Sequence, residues 1–341
     1  MRRSKSPTIV DVAAEAGVSK SAVSRALLGQ GDVSAETRAR IEAAAERLGY
    51  VANAMARGLV SSRTKTLGVV LRDVRKPYYA YVQAGTQAQA EVRGYRIVTT
   101  TNAGRHEVAD AKREMTNLVS LQVDGLIIAP ARLPSEEYLP YLERVPIVVA
   151  GRQEMNPGMS SVACDDTFGG SALARHLLAL GHRRIAVLLV DPTYSQRYSS
   201  RGFGMIDGIQ KGGGTPVVWK MGTDHDAAVT VATHLDSNDV TAIMCPTDAA
   251  ALAALEALRQ RSGSTIDDYS VTGYDGFGPL AAPYLGLSTF RSPVEEMGRA
   301  AVDLLVDRLE ERTNEDRFVS LRGKVIEGRT ARSLTLRPGS A

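Results

Sequence analysis

The sequence predicts an α/β chain in two parts. A small N-terminal head of three helices, helix-turn-helix in type, leads through a short hinge to a larger body of two doubly wound parallel sheets. Three observations predict this. Thr8–Leu27 reads as helix, tight turn, helix, with basic and polar residues on the outer face of the second helix. From Leu67 onward, apolar runs of strand length alternate with helical stretches. Charge is unevenly spread: residues 1–65 carry 11 Lys/Arg against 6 Asp/Glu, and the remainder 30 against 32. A head of balance +5 therefore precedes a body of −2. Such a basic module is suited to a polyanion, or is simply a solvated end.

In the head, Thr8 can cap the first helix, with Asp11 three residues on. Ile9, Val12, Ala13 and Ala16 share the inward face, and Gly17 permits the sharp turn. Ser19 caps the second helix, whose free N–H groups would suit a phosphate. Val23, Ala26 and Leu27 point to the core, while Lys20, Ser21, Ser24 and Arg25 share the opposite face. Ser34 caps a third helix with an apolar stripe at Ile41, Ala44, Ala45 and Leu48, and Gly49 stops it. A module this small has no room for a catalytic pocket but fits a DNA major groove.

These residues resemble the lactose-repressor (LacI/GalR) family of bacterial transcription regulators. The matching words are Thr8-Ile9-Val10-Asp11-Val12-Ala13, Ala16-Gly17-Val18-Ser19, Val23-Ser24-Arg25-Ala26-Leu27, Val33-Ser34, Thr37-Arg38 and Leu48-Gly49-Tyr50. The resemblance implies that the second helix enters the major groove, with Lys20 and Ser21 at the base-reading positions and Ala22 a further DNA-binding candidate. Arg25 is a further base-facing candidate, since arginine pairs bidentately with guanine; Lys20 and Arg25 read either bases or backbone. Ser19, Ser24 and Thr37 are the phosphate candidates, and Thr8 is a further DNA-binding candidate.

Tyr50–Leu59 is similar to the family's hinge. Asn53 can cap a helix from Ala54 to Leu59, too short to be stable alone and expected to form when two copies pair on DNA. The resemblance places Asn53, Ala56 and Leu59 at the DNA, with Leu59 wedged between base pairs in the minor groove. The alternative is that Leu59 packs on its own domain. Val60–Thr66 is a polar linker.

In the body, strands are expected at Leu67–Leu71, Arg96–Thr100, Gly125–Ala129, Ile147–Ala150, Ile185–Val190, Ala242–Cys245 and Ser270–Gly273. Continuous apolar runs between helices argue for parallel strands covered on both faces. The words Val123-Asp124-Gly125-Leu126-Ile127-Ile128, Gly181-His182-Arg183-Arg184-Ile185-Ala186, Thr247-Asp248 and Gly273-Tyr274-Asp275 resemble the type I periplasmic binding-protein body that the family carries. The expected division is a head at 1–52, a hinge and linker at 53–66 and an effector and dimerisation domain at 67–341. Within the last, one lobe takes about 67–163 and 291–320, the other about 164–290 and 321–337.

Ligands of open parallel sheets bind beyond the carboxyl ends of the strands. That rule and the resemblance together select Asp73, Tyr78, Tyr79, Thr101, Asn102, Phe168, Arg197, Arg201, Asp248 and Asp275. Carboxylates, hydroxyls, amides and aromatic rings suit a polyhydroxylated small molecule, a sugar above all. Asp275 is the leading acceptor for hydroxyls; Asp248 opens a helix and is as well suited to capping it. Three departures from the family pattern bear on the ligand. The usual arginine three residues before a Gly-Phe pair is Ser199 here, before Gly202-Phe203, with Arg197 or Arg201 available to replace it. An Asp-Asn word is Asp165-Asp166, and a Gln-Pro word is Ser292-Pro293.

Enzyme chemistry finds no foothold. No dinucleotide fingerprint, phosphate loop, nucleophile elbow or zinc-protease motif occurs. Five histidines are scattered without ligand spacing, and Cys164 and Cys245 lie far apart. Lys211–Thr215 is glycine-rich but reads as a loop. Neither cofactor nor metal is expected. The chain shows no secretory h-region and no run of eighteen apolar residues, so a cytoplasmic protein with no membrane partner is expected. The expectation is a ligand-responsive DNA-binding regulator, a repressor of carbohydrate-utilisation genes released by a sugar-like inducer. The alternative is a corepressor-dependent regulator responding to a nucleobase or other non-sugar metabolite. Its partners are a pseudopalindromic double-stranded operator and a second copy of the chain; the tail Arg332–Ala341 lacks heptads, which favours a dimer.

Overall fold

The computed structural model describes residues 7–28, 33–50, 63–101, 108–129, 133–235, 239–260, 268–313 and 315–334. The expected hinge contacts Asn53, Ala56 and Leu59, and the cleft candidate Asn102, lie outside them.

The head is built on its caps. Helix α1 (Ile9–Ala16) starts at a reciprocal capping box between Thr8 and Asp11 and ends at Gly17, whose left-handed φ of 66° turns the chain. Helix α2 (Lys20–Leu28) follows at once, its first turn closed by the Ala22 N–H donating to Ser19 Oγ at 3.2 Å. Helix α3 (Ala35–Leu48) has Ser34 as N-cap and left-handed Gly49 as C-cap. Val12, Ala13, Ala16, Val23, Ala26, Ile41, Ala44 and Ala45 bury one small core. Arg38 fixes α3 to the end of α2 by donating to the Ala26 carbonyl at 2.7 Å.

The body runs as two sheets of identical winding. The first contains β1 (Thr66–Leu71), β2 (Arg96–Thr101), β3 (Gly125–Ala129), β4 (Ile147–Ala150) and β5 (Met159–Cys164), with a late strand β11 (Phe318–Leu321). Its order is β11-β5-β4-β3-β1-β2, parallel throughout. The second contains β6 (Arg184–Val190), β7 (Thr215–Met221), β8 (Ala242–Met244), β9 (Ser270–Asp275) and β10 (Ser288–Arg291), with β12 (Lys324–Ile326) antiparallel at its edge. Its order, β12-β10-β9-β8-β6-β7, repeats the first. Three segments pass between the sheets, at Asp165, at Ser292-Pro293 and at Arg322-Gly323.

Helices α4 (Pro77–Val92) and α11 (Val294–Leu309) cover one face of the first sheet, and α5 (Val108–Ser120) with the single turn α6 (Leu139–Leu142) covers the other. Helices α7 (Asp166–Ala179) and α8 (Gln196–Lys211) lie on one face of the second sheet, and α9 (Ala227–His234) with α10 (Asp248–Gln260) on the other. Burial on both faces is why the central strands are continuously apolar.

Five strands escaped the sequence reading: β5, β7, β10, β11 and β12. Strand β5 is buried along its whole length although it carries Ser160 and Ser161. Their hydroxyls are satisfied by the Arg317 and Glu154 backbone N–H groups, at 3.1 and 3.0 Å, so the polar residues bury without an orphaned group. Strand β7 carries the short apolar run Val217-Val218-Trp219, whereas β10, β11 and β12 take their places from long-range pairing. Gly212–Gly214 is the loop expected there, between α8 and β7.

Candidate ligand cleft and DNA-binding head

On the head, Lys20, Ser21 and Arg25 of α2 are exposed, and Ala22 and Ser24 are half-buried on the same side of the helix. Spacings of three and four residues stack them into one face. Ser19 stands at the helix start, with its hydroxyl turned inward to cap. Thr8 donates to Asp11 Oδ2 at 2.7 Å, and Thr37 receives the Ser34 hydroxyl at 2.9 Å. Ser19, Thr8 and Thr37 are thus caps or cap partners of three helix starts, where free N–H groups collect.

The cleft lies where the carboxyl ends of the two sheets face each other. A cavity of about 460 Å3 is lined from the first sheet's side by Arg72, Lys76, Tyr78, Tyr79 and Arg152, and from the second by Asp166, Arg197, Tyr198, Arg201 and Asp275. Each residue arrives for a local reason. Arg72 follows β1, Asp166 opens α7 after β5, and Asp275 ends β9. Arg197 and Arg201 are four apart on α8 and therefore share its inner face.

Asp166 is the centre of the electrostatics. Its Oδ2 accepts from Arg197 Nε and its Oδ1 from Arg201 Nε, both at 2.9 Å. Burial alone would raise its carboxyl; the two guanidinium groups outweigh that and hold it below the ordinary carboxylate value. Arg201 is 1% exposed, and its Nη1 donates to Asp275 Oδ1 at 2.9 Å and to the Pro246 carbonyl at 2.7 Å. Its guanidinium lies 3.9 Å from the Tyr274 ring centre, and that of Arg197 lies 4.5 Å from the Tyr78 ring centre. Asp275 is pushed up to about 6, chiefly by burial, with Arg201 opposing and Asp248 adding to the rise. Its φ of 128° is unusual for a residue with a side chain. Cys164, on the cleft wall, is pushed up to about 12 by burial and stays a thiol.

Four expected cleft residues lie elsewhere. Asp248 is buried behind the wall, where its Oδ1 accepts from Thr289 and its Oδ2 from the Gly276 N–H, at 2.5 and 2.9 Å. Thr247, not Asp248, caps α10, through the Ala250 N–H at 3.0 Å. Asp248 therefore holds the turn that aims Asp275. Asp73 is taken up by a two-pronged pair with Arg75, at 2.8 and 3.0 Å. Thr101 donates to the Arg72 carbonyl at 3.3 Å. Phe168 packs edge-on against Phe290 with Arg322 over its ring, away from the cavity. Asp165 and Asp166 point apart: Asp165 caps α7 and pairs with Arg322 at 3.2 Å.

Lys76, Arg152 and Tyr198 were missed as lining residues; Arg72 was picked by the strand-end rule beside Asp73, and Asp166 was noted only as a departure from the Asp-Asn word. Asp166 had a signal, an acid directly after a strand, but that strand was itself unseen. His182 hydrogen-bonds Thr241 Oγ1 and the Arg332 carbonyl, at 2.9 and 3.0 Å, as a buried structural residue. Among the described residues no group of three His, Cys, Asp or Glu could hold a metal ion, and no helix is long and apolar enough to cross a membrane.

Comparison with known proteins decides the family. Residues 8–53 match the profile of bacterial regulatory proteins of the lacI family, and residues 174–331 match that of a periplasmic binding protein-like domain. The chain is 32% identical to the HTH-type transcriptional regulator CelR of Thermobifida fusca, over 92% of this chain and 95% of that protein. It superposes on a lac repressor dimer bound to operator and the anti-inducer ONPF with TM-score 0.83 and 26% identity, covering 96% of this chain and all of that one. A CelR–cellobiose complex matches with TM-score 0.65 and 28% identity over 95% of this chain and 99% of that one.

The chain belongs to the lacI family. It is a transcriptional regulator with a helix-turn-helix DNA-binding head, and its relatives are regulators rather than enzymes. Of the two arginines available near Ser199, Arg201 stands three residues before a second glycine-led pair, Gly204-Met205. Met205 is fully buried, whereas Phe203 of Gly202-Phe203 is 54% exposed.

Proposed function

We propose that this regulator is a repressor whose grip on DNA is governed by a small polyhydroxylated ligand in the cleft. The observation that carries the reading is the Asp166–Arg201–Asp275 chain, which presents a partly exposed carboxylate to a cavity of ligand size between two sheets. Asp275 accepts ligand hydroxyls, Arg197 and Arg201 donate to ligand oxygens, and Tyr78 offers an aromatic wall. The cellobiose held by a solved relative supports a sugar-class ligand.

Two chains pair through their bodies and present two heads to a pseudopalindromic operator; the operator-bound relative is a dimer, which supports the pairing. In each head, Lys20, Ser21, Ala22 and Arg25 face base edges, while Ser19, Ser24, Thr8 and Thr37 hold phosphate. Asn53, Ala56 and Leu59 complete the contact at the hinge. The ligand changes the relation of the two lobes and so the spacing of the hinges, a coupling of about 1–3 kcal/mol in ordinary allosteric systems.

The test is selection of genomic fragments by the full chain, repeated with cellobiose and other sugars. A pseudopalindromic sequence should be enriched and then released by a ligand. Binding without preference over random competitor DNA would remove the reading.

A further inference from the structure

We infer that the body holds a second ligand site, apart from the cleft and at the joint of the two lobes, and that it takes a small monocarboxylate with an apolar body.

A cavity of about 650 Å3 is lined by two of the three crossovers, Ser292-Pro293 and Arg322-Gly323. The first lobe contributes Tyr81 of α4 and Val294 of α11; the second contributes Phe277, just after β9, and Arg291, at the end of β10. The cavity shares no lining residue with the cleft. The lobes meet at its wall. The ring centres of Tyr81 and Phe277 lie 5.1 Å apart, and the Gly278 N–H donates to the Tyr81 hydroxyl at 3.2 Å. These two rings, with Pro293 and Val294, make the wall's apolar part.

The polar part names the charge of the occupant. Arg291 and Lys324 both line the cavity and stand directly opposite each other in the antiparallel pair of β10 and β12. Like charges at opposed positions repel and cost stability. Nothing in the fold relieves them: neither forms an ion pair among the described residues, and Arg291 gives its Nε to the Gly276 carbonyl at 2.8 Å. Two other charges of the lining are already matched, Arg322 by Asp165 at 3.2 Å and Glu295 by Arg299 at 2.6 Å. Glu296 is the remaining acid, exposed and without an ion pair among the described residues. Two unmatched cations against one unmatched acid leave a single positive charge, which a monoanion balances and a dianion overshoots. Ser292, beside Arg291, is 4% exposed, and its Oγ has no hydrogen-bond partner among the described residues. A carboxylate between Arg291 and Lys324 removes their repulsion, and an apolar body attached to it covers the Tyr81 and Phe277 rings.

The experiment uses the full chain with three acids and their neutral amides: phenylacetate with phenylacetamide, 4-hydroxybenzoate with 4-hydroxybenzamide, and indole-3-acetate with indole-3-acetamide. Inorganic phosphate is the bare-anion control. Binding is followed by thermal shift and calorimetry at low salt. At least one acid should bind at least ~10-fold tighter than its amide. Lys324→Glu, at an exposed edge position, should remove that preference, while the ligand-free melting temperature holds or rises because an attractive pair with Arg291 replaces a repulsive one. Arg197→Gln, in the cleft, should leave acid binding in place. Amides binding as tightly as their acids, phosphate stabilising as strongly as the acids, or no stabilisation by any acid at about 20 mM overturns the inference. So does acid binding that survives Lys324→Glu or is lost in Arg197→Gln, which would put the acid in the cleft. Operator selection by the same preparation reports separately on the function proposed above.

Discussion

Arg201 is the residue on which the cleft turns. It is a buried cation between two carboxylates, and removing it strands both. Arg201→Met should cost about 3–5 kcal/mol in urea unfolding, the range for breaking a buried pair from one side. Asp275 gives a pH signature. Its folded value of about 6 lies above the ordinary 3.8, so its ionised form opposes folding, and that loss is recovered as pH falls from 6 towards 4. Asp166 runs the other way: its contribution is present above the ordinary carboxylate value and disappears in acid. If hydroxyl binding needs the Asp275 carboxylate, affinity for a ligand that does not titrate in this range should fall about tenfold from pH 7 to pH 5. Calorimetry across that interval checks it. Asp275→Asn should make the profile flat and abolish the ligand response while operator binding persists.

At the scale of elements, the cleft arginines depend on how closely α7 and α8 approach. A Cβ on Gly170 would stand 2.2 Å from the Arg201 carbonyl, and one on Gly204 would stand 2.2 Å from the Thr167 carbonyl. Both contacts are with backbone, which cannot step aside. Gly204→Ala should therefore push the helices apart, destabilise the body by about 1–3 kcal/mol and draw Arg201 off Asp166, read as a lower melting temperature with weakened ligand binding. The first lobe repeats the device where α4 crosses α11 at Gly85 and Gly298. Another element-scale feature is the entry of the chain into β1. Thr64 and Lys65 donate their N–H groups to the two oxygens of Asp124, at 2.7 and 2.8 Å, ahead of the first paired residue, Thr66. Asp124→Ala should strip hydrogen-exchange protection from the Thr64 and Lys65 amides and leave the amides of β3 protected.

For the whole molecule, head and body each have a core of their own: eight buried residues close the first, and four separate clusters fill the second. Deleting residues 1–60 should therefore abolish sequence-specific DNA binding and leave ligand-induced stabilisation intact, measured by gel shift and thermal shift side by side. The head was legible residue by residue, since Thr8, Gly17, Ser34 and Gly49 act through bonds to neighbours three or four positions away. The central strands β1, β3, β4 and β6 were legible as well, because burial on both faces forces continuous apolar runs. The cleft was legible only in part. Tyr78, Tyr79, Arg197, Arg201 and Asp275 meet there, whereas Asp73 and Asp248 found partners that the sequence does not show. By itself, then, the sequence determined the local grammar: caps, turns, the exposed polar face of α2 and the central strands of a twice-wound body. Which carboxylates reach the cavity and which arginines meet them were decided by tertiary structure. Those properties arise between residues tens of positions apart, where a side chain's role depends on which buried charge it meets.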